Sequence, residues 1–537
     1  MRRRSRSLAP SIEPAEARVL LAGTVQTELV GDTFFIRGDD AANDVSIRGI
    51  SYEVSRLVLD PETGIVHGEY VGQYVGWSLT GSDDTMISGP RIIPNHTRVV
   101  VELGGGDDSL SISGAGVLGV PLVGQSGIAS FPELLIDMGW GADYVKLESL
   151  VVSGSTSIFT GTGDDVVELG DDVIYIRVWY PFRPVFNDLL ISTGAGDDLV
   201  YVNTVEVTGN TSIYTGNGND QVLVSRDDIR PYDGEPPIAI RQGKTSHFKS
   251  LTIKTYGGVD EVRLDHVWIE GDTRIEADDV AISTAHMAQT AVLGANVVIG
   301  DANALKTALD PFGSYRKDEF TPYVFDVIFT GHVTVGGAVG GVHIESTRAL
   351  RNLAVNTPGS LSQGRGGPVS LGAAMANSMN GLRPGVDVVG DLSVRSFEEA
   401  QLTNVRAFRS ARILGNNVRV HDVENQGALP LPNGRRFVIQ SRSDVEVHRL
   451  SCERLVVATG SGDDDIRLRY VVATGRSLLK SGSGDDQVEV SNSSFLQPFV
   501  IDGEVGFDTR IVDLMGSRDE NLIWENFEIS VHVITLY

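Results

Sequence analysis

Eight times in this chain a Gly-rich turn ending in Asp is followed at once by alternating aliphatic residues. That pattern couples a tight backbone reversal to a strand with one buried face. Clear copies are TGTGDDVVEL (Thr160 to Leu169), TGAGDDLVYV, TGNGNDQVLV, TGSGDDDIRL and SGSGDDQVEV; LGGGDDSLSI, MGWGADYVKL and TYGGVDEVRL are looser. Aligned on the last acidic residue, the copies place Asp108, Asp143, Asp165, Asp198, Asp220, Asp260, Asp464 and Asp486 at one position. Gly always stands two residues before it, whereas its immediate predecessor varies among Asp, Asn, Ala and Val. Aliphatic residues follow two and four positions later, and another, such as Ile158 or Ile213, lies seven positions earlier. Each unit therefore reads as strand, turn, strand.

The fixed Asp residues recur 22 positions apart at 143 to 165, 198 to 220 and 464 to 486, and at wider spacings elsewhere. A period of that size suits one coil of a parallel β-solenoid, and wider spacings then mark coils carrying insertions. The expected fold is all-β, a parallel β-helix with about 22-residue coils, insertion loops and an irregular β-rich N-terminal cap. At about 4.8 Å per coil, roughly 15 coils over residues 100–515 would make a rod of about 70 Å. Helical signal is confined to short candidates at 303–309 and 373–379.

The expected organisation is a basic targeting segment (1–23), a cap with the first coils (24–100), an acidic-turn block (101–300), a continuation with long loops (301–455), and C-terminal repeats (456–537). Within the cap, strands are expected near 33–36, 45–47, 56–59 and 99–101, and LTGSDDTMIS reads as a degraded repeat keeping Asp84. Loops are expected at 171–186, 226–249 and 358–385. IDGEVGFDTR, with Asp508, reads as a ninth, failing copy because Arg510 occupies an aliphatic position.

A net charge of -27 argues against nucleic-acid binding, which needs a basic face, and favours cations. No apolar run reaches the length of a transmembrane helix. The single cysteine, Cys452, excludes an intrachain disulfide framework. Motifs for zinc, P-loop or serine-hydrolase chemistry are absent from the sequence.

The repeat resembles the RTX-type calcium-binding nonapeptide, G-G-x-G-x-D-x-U-x, with Thr160, Gly161, Gly163, Asp165 and Val167 at its first, second, fourth, sixth and eighth positions. The resemblance implies calcium held at the eight fixed Asp residues. It departs from the family in that copies are not in tandem every nine residues. Calcium needs six to eight oxygens, and stacked carboxylates about 5 Å apart would repel unless a cation bridged them. The uninterrupted pairs Asp143 with Asp165, Asp198 with Asp220, and Asp464 with Asp486 are the expected bridging pairs. The plainer reading is that each Asp accepts a backbone N–H in an Asx turn.

Near the N-terminus, Glu16-Ala17-Arg18-Val19-Leu20-Leu21 resembles the Glu-Pro-Arg-x-Leu-Leu signature of planctomycete-type surface and secreted proteins, with Ala17 in place of Pro. That resemblance implies export. The expected function is a secreted or cell-surface structural or adhesion-type protein stabilised by calcium, meeting extracellular polysaccharide or envelope components. The alternative is a polysaccharide lyase or glycosidase on a parallel β-helix.

Overall fold

The computed structural model describes residues 23–533 apart from internal segments, the longest being 115–129, 171–182, 225–245, 308–326, 358–368, 372–385 and 425–435. Residues 1–22 of the expected targeting segment, Asp84, most of the three expected loops and the helix candidate at 373–379 lie outside the described residues.

The described elements are β-strands. The helix expected at 303–309 is instead the strand Ala304–Thr307, paired on both sides. Inside the loop expected at 358–385, Val369–Leu371 is likewise a strand. Short apolar runs do not distinguish helix from strand by themselves; here parallel neighbours on each side decide.

Antiparallel pairing among the described residues is confined to the first hundred, where Asp44–Leu59 folds back on Val66–Ser82. The strands expected at 45–47 and 56–59 are thus one strand. The segment read as a degraded repeat belongs partly to the returning arm of this hairpin. Trp77 from that arm is fully buried and stacks on Phe131, ring centroids 4.3 Å apart, closing over the start of the core.

Beyond that hairpin the pairing is parallel, and three columns of side chains run through it. The first joins Ile36, Val101, Ile136, Ile158, Ile191, Ile213 and Ile253. It continues through Ile275, Ile299, Val335, Val355, Val394, Ile413, Ile439, Val457, Leu479 and Ile501. The second contains the aliphatics two residues after each fixed Asp, such as Leu110, Val145, Val167, Val200 and Val222. The third stacks Phe131, Val152, Phe186, Val207, Phe248 and Ile269. These residues, Ile299 set aside, form one buried apolar core. Burial of a single Ile, Val or Phe contributes about 1.5–3 kcal/mol, so the columns are the main cohesive element.

Segments 115–129, 171–182, 225–245, 284–290, 308–326 and 372–385 each join a second-column strand to the next third-column strand. The acidic turns lie at a different corner, between the first and second columns. Insertions within the acidic-turn blocks therefore lengthen the chain without separating neighbouring turns, whereas 358–368, in the stretch without acidic turns, joins a first-column strand to a second-column one.

Candidate functional site: the acidic turn edge

At each acidic turn the glycine two residues before the fixed Asp has positive φ, +129° at Gly163 and +141° at Gly196. A Cβ built on Gly163 would stand 1.8 Å from the carbonyl oxygen of Gly141 in the preceding pass, so only glycine allows this approach. The turn then directs the fixed Asp inward. All eight of these carboxylates are buried, none more than 4% exposed.

Their Oδ1 atoms form a rail. The backbone N–H of Asp108 donates to Asp143 at 2.8 Å, Asp143 to Asp165 at 2.9 Å, Asp165 to Asp198 at 2.9 Å, Asp198 to Asp220 at 3.0 Å and Asp220 to Asp260 at 3.0 Å. In the C-terminal block, Asp464 donates to Asp486 at 2.9 Å. Each Asp thus serves the turn of the preceding pass. The Asx-turn reading had the chemistry right and the partner wrong. Pairs interrupted in sequence, Asp165 with Asp198 and Asp220 with Asp260, are joined as directly as the uninterrupted pairs.

Two members were missed or misjudged in the sequence. Asn43 donates its N–H to Asp108 at 2.7 Å and so begins the rail; its signal was Val45 and Ile47 at the usual two and four positions onward. Asp508 ends the rail, accepting from Asp486 at 3.0 Å, and is itself fully buried. The ninth copy therefore keeps its rung. Arg510 keeps register with Val488, and its guanidinium lies 5.5 Å from the Trp524 ring centre.

The variable neighbour forms a second, exposed rail that runs in the opposite sense. Asp107 accepts the N–H of Ala142 at 3.0 Å, Asp164 that of Asp197 at 2.9 Å, Asp197 that of Asn219 at 2.7 Å, Asn219 that of Val259 at 3.0 Å and Asp463 that of Asp485 at 2.9 Å. Only an acceptor oxygen is required, and water can replace it at the surface. Asn219, Ala142 and Val259 are tolerated there for that reason.

The inner rail has an electrostatic problem. The Oδ2 atoms of Asp108, Asp143, Asp198, Asp220, Asp464 and Asp486 are buried without a hydrogen-bond partner. Asp165 differs because the Thr160 hydroxyl reaches its Oδ2 at 2.6 Å. Thr193 and Thr215 lie beside Asp198 and Asp220 and draw their pKa values down, yet they are oriented toward carbonyls of the next pass. At Asp108 and Asp143 the corresponding residues are Leu103 and Met138. Burial outweighs these opposing influences and pushes Asp108 and Asp198 up to about 7, and Asp143 and Asp464 up to about 6. Asp165, Asp220 and Asp486 are also raised, again chiefly by burial.

A proton or a cation would relieve these oxygens. Among the described residues no three His, Cys, Asp or Glu side chains converge in a metal-holding group. What the fixed residues offer an ion is a line of single buried oxygens, so further ligands would have to come from backbone carbonyls or water. Cys452 is buried with its thiol pushed up to about 12, which keeps it unreactive. No family model, curated protein or solved structure matches the chain.

Proposed function

We propose that this chain is a secreted or cell-surface structural protein of adhesion type, whose parallel passes close into a β-solenoid stabilised by calcium along the acidic turn edge. The supporting observation is the inner rail: glycine geometry, a buried Asp at every turn, and a line of buried oxygens whose charge needs compensation. An architecture held by repeated hydrogen bonds between successive passes suits a load-bearing or spacing role. Asp108, Asp143, Asp165, Asp198, Asp220, Asp260, Asp464 and Asp486 would supply the carboxylate oxygens. Calcium there would neutralise carboxylates that burial otherwise keeps protonated or strained.

The test is thermal unfolding of the full chain with millimolar calcium and with a chelator. Calcium should raise Tm and chelator lower it, since a ligand bound only by the folded state stabilises by mass action. Identical melting curves under the two conditions would sink the calcium reading.

A further inference from the structure

On the outward face of the first column, Arg436 stands opposite Arg454, and Arg476 follows in the next pass, two residues before Leu478, which itself stands opposite Val456. Arg436 and Arg476 are exposed and Arg454 is half-buried. None of the three takes part in an ion pair among the described residues. Elsewhere on this part of the surface several cations have partners: Arg469 pairs with Glu489, Lys480 with Glu504 and Arg449 with Asp422, while Arg412 donates to Gln440 and Arg442 lies over the Phe397 ring. Like charges in direct register on neighbouring strands destabilise a sheet. A row of three is therefore locally costly unless something acidic covers it, and a chain of net charge -27 has acidic surface to offer. Beside it runs an outward apolar row, Val438, Val456, Leu478 and Val500, in register from pass to pass.

We propose that this arginine row docks the exposed Asp edge of a second copy of the chain, joining molecules side by side. The pitch favours that partner. Successive arginines are separated by one strand spacing, about 4.8 Å, whereas an extended peptide lying along the row would present same-side carboxylates about 6.8 Å apart. The exposed rail of the same protein, Asp164 with Asp197 or Asp463 with Asp485, repeats at the spacing of its own strands and matches the row by construction. Arginine row and Asp edge are different patches of the surface, so the contact is heterologous, and contacts of that kind extend into rings or open arrays. This deepens the structural reading by naming a partner, and it rests on that reading for the extended stack but not for calcium.

Sedimentation velocity of the full chain at physiological ionic strength, where the Debye length is about 8 Å, tests it. The wild-type chain should sediment as a concentration-dependent series above the 57.7 kDa monomer, and 1 M salt, with a Debye length of about 3 Å, should dissolve the series. Arg436→Glu/Arg454→Glu/Arg476→Glu should be monomeric with an unchanged circular dichroism spectrum. Because its Asp edge is intact, adding it to wild-type protein should shorten the arrays at substoichiometric ratios. Arg454→Gln alone should shift the series partway to monomer, which preserves the test if the triple variant misfolds. A β-rich wild-type chain that stays monomeric at every concentration overturns the proposal while leaving the structural role standing. So does a triple variant that assembles normally, or an arginine row that binds polygalacturonate without self-association. A chain lacking β-rich circular dichroism would defeat the structural reading instead.

Discussion

Residues 101–265 and 392–445 share the same buried columns but close their corners differently. In the first region the tight glycine turn takes the fixed residue's N–H to a carboxylate of the next pass. In the second, Asn416 donates its N–H to the Glu398 carbonyl at 2.7 Å, and Ser443 to the Asn416 carbonyl at 2.9 Å. There backbone carbonyls stand in for the buried Asp of the glycine turn, and the carboxylate contacts of this region lie beside it, Ser410 donating its N–H to Asp391 at 3.1 Å and Asp465 to Asp444 at 3.0 Å. The first column nevertheless runs unbroken through both, from Ile213 and Ile253 to Ile413 and Ile439. Apolar columns hold the passes together, and the Asp rail is a local answer to the glycine turn.

The most severe test of that distinction is a methyl group at the turn. Gly163→Ala places Cβ 1.8 Å from the Gly141 carbonyl, and we expect a loss of about 3 kcal/mol or more in denaturant unfolding. Gly462 occupies the same motif position and has φ +122°, but the pass before it lacks a glycine turn and nothing lies within 4 Å of its built Cβ. Gly462→Ala should cost only the backbone strain, about 1–2 kcal/mol. Equal losses at the two sites would mean that contact between stacked turns is not what selects glycine.

Next in size is removal of a rung. Asp165→Ala strands the buried N–H of Asp143 and leaves the Thr160 hydroxyl only its longer bond to the Thr193 carbonyl, a predicted loss of about 2–3 kcal/mol. Asn416→Ala, where main-chain atoms make the bond, should fall within about 0.5 kcal/mol of wild type. Asp198→Asn keeps an acceptor oxygen while removing a buried titratable group. It should be more stable than wild type at pH 8 without calcium and should show a smaller calcium response.

The pH dependence sharpens the comparison further. Between about pH 4 and 7 the folded protein holds protons on Asp108, Asp143, Asp198 and Asp464 that the unfolded chain has released. Folding stability should therefore rise as pH is lowered through this window and fall as pH climbs through 6 to 7. Melting curves measured without calcium across the window check the sign. A chain that loses stability on acidification from pH 7 to 5 would show that the rail is ionised throughout. Calcium should flatten the slope by neutralising the same oxygens.

The strand alternation was plain in the sequence: Ile136, Ile158, Ile191 and Ile213, read from spacing alone, form one buried column. The glycines were equally legible. Asn43 was hidden because Ala41 replaces the marker glycine, and Asp508 because Arg510 breaks the aliphatic pattern. The helix signal at 303–309 failed because a short apolar run carries no period of its own.

Taken alone, the sequence determined the all-β class, the buried face of each strand and the need for glycine at the turns, since these depend on neighbours a few positions away. Only the tertiary structure decided what the Asp residues touch. Their partners lie 22 to 65 positions along the chain, across insertions of unequal length. Register between passes therefore sets which N–H meets which carboxylate. It also makes the fixed Asp an inner rung, its variable neighbour an outer one, and a row of three arginines out of residues scattered over forty positions.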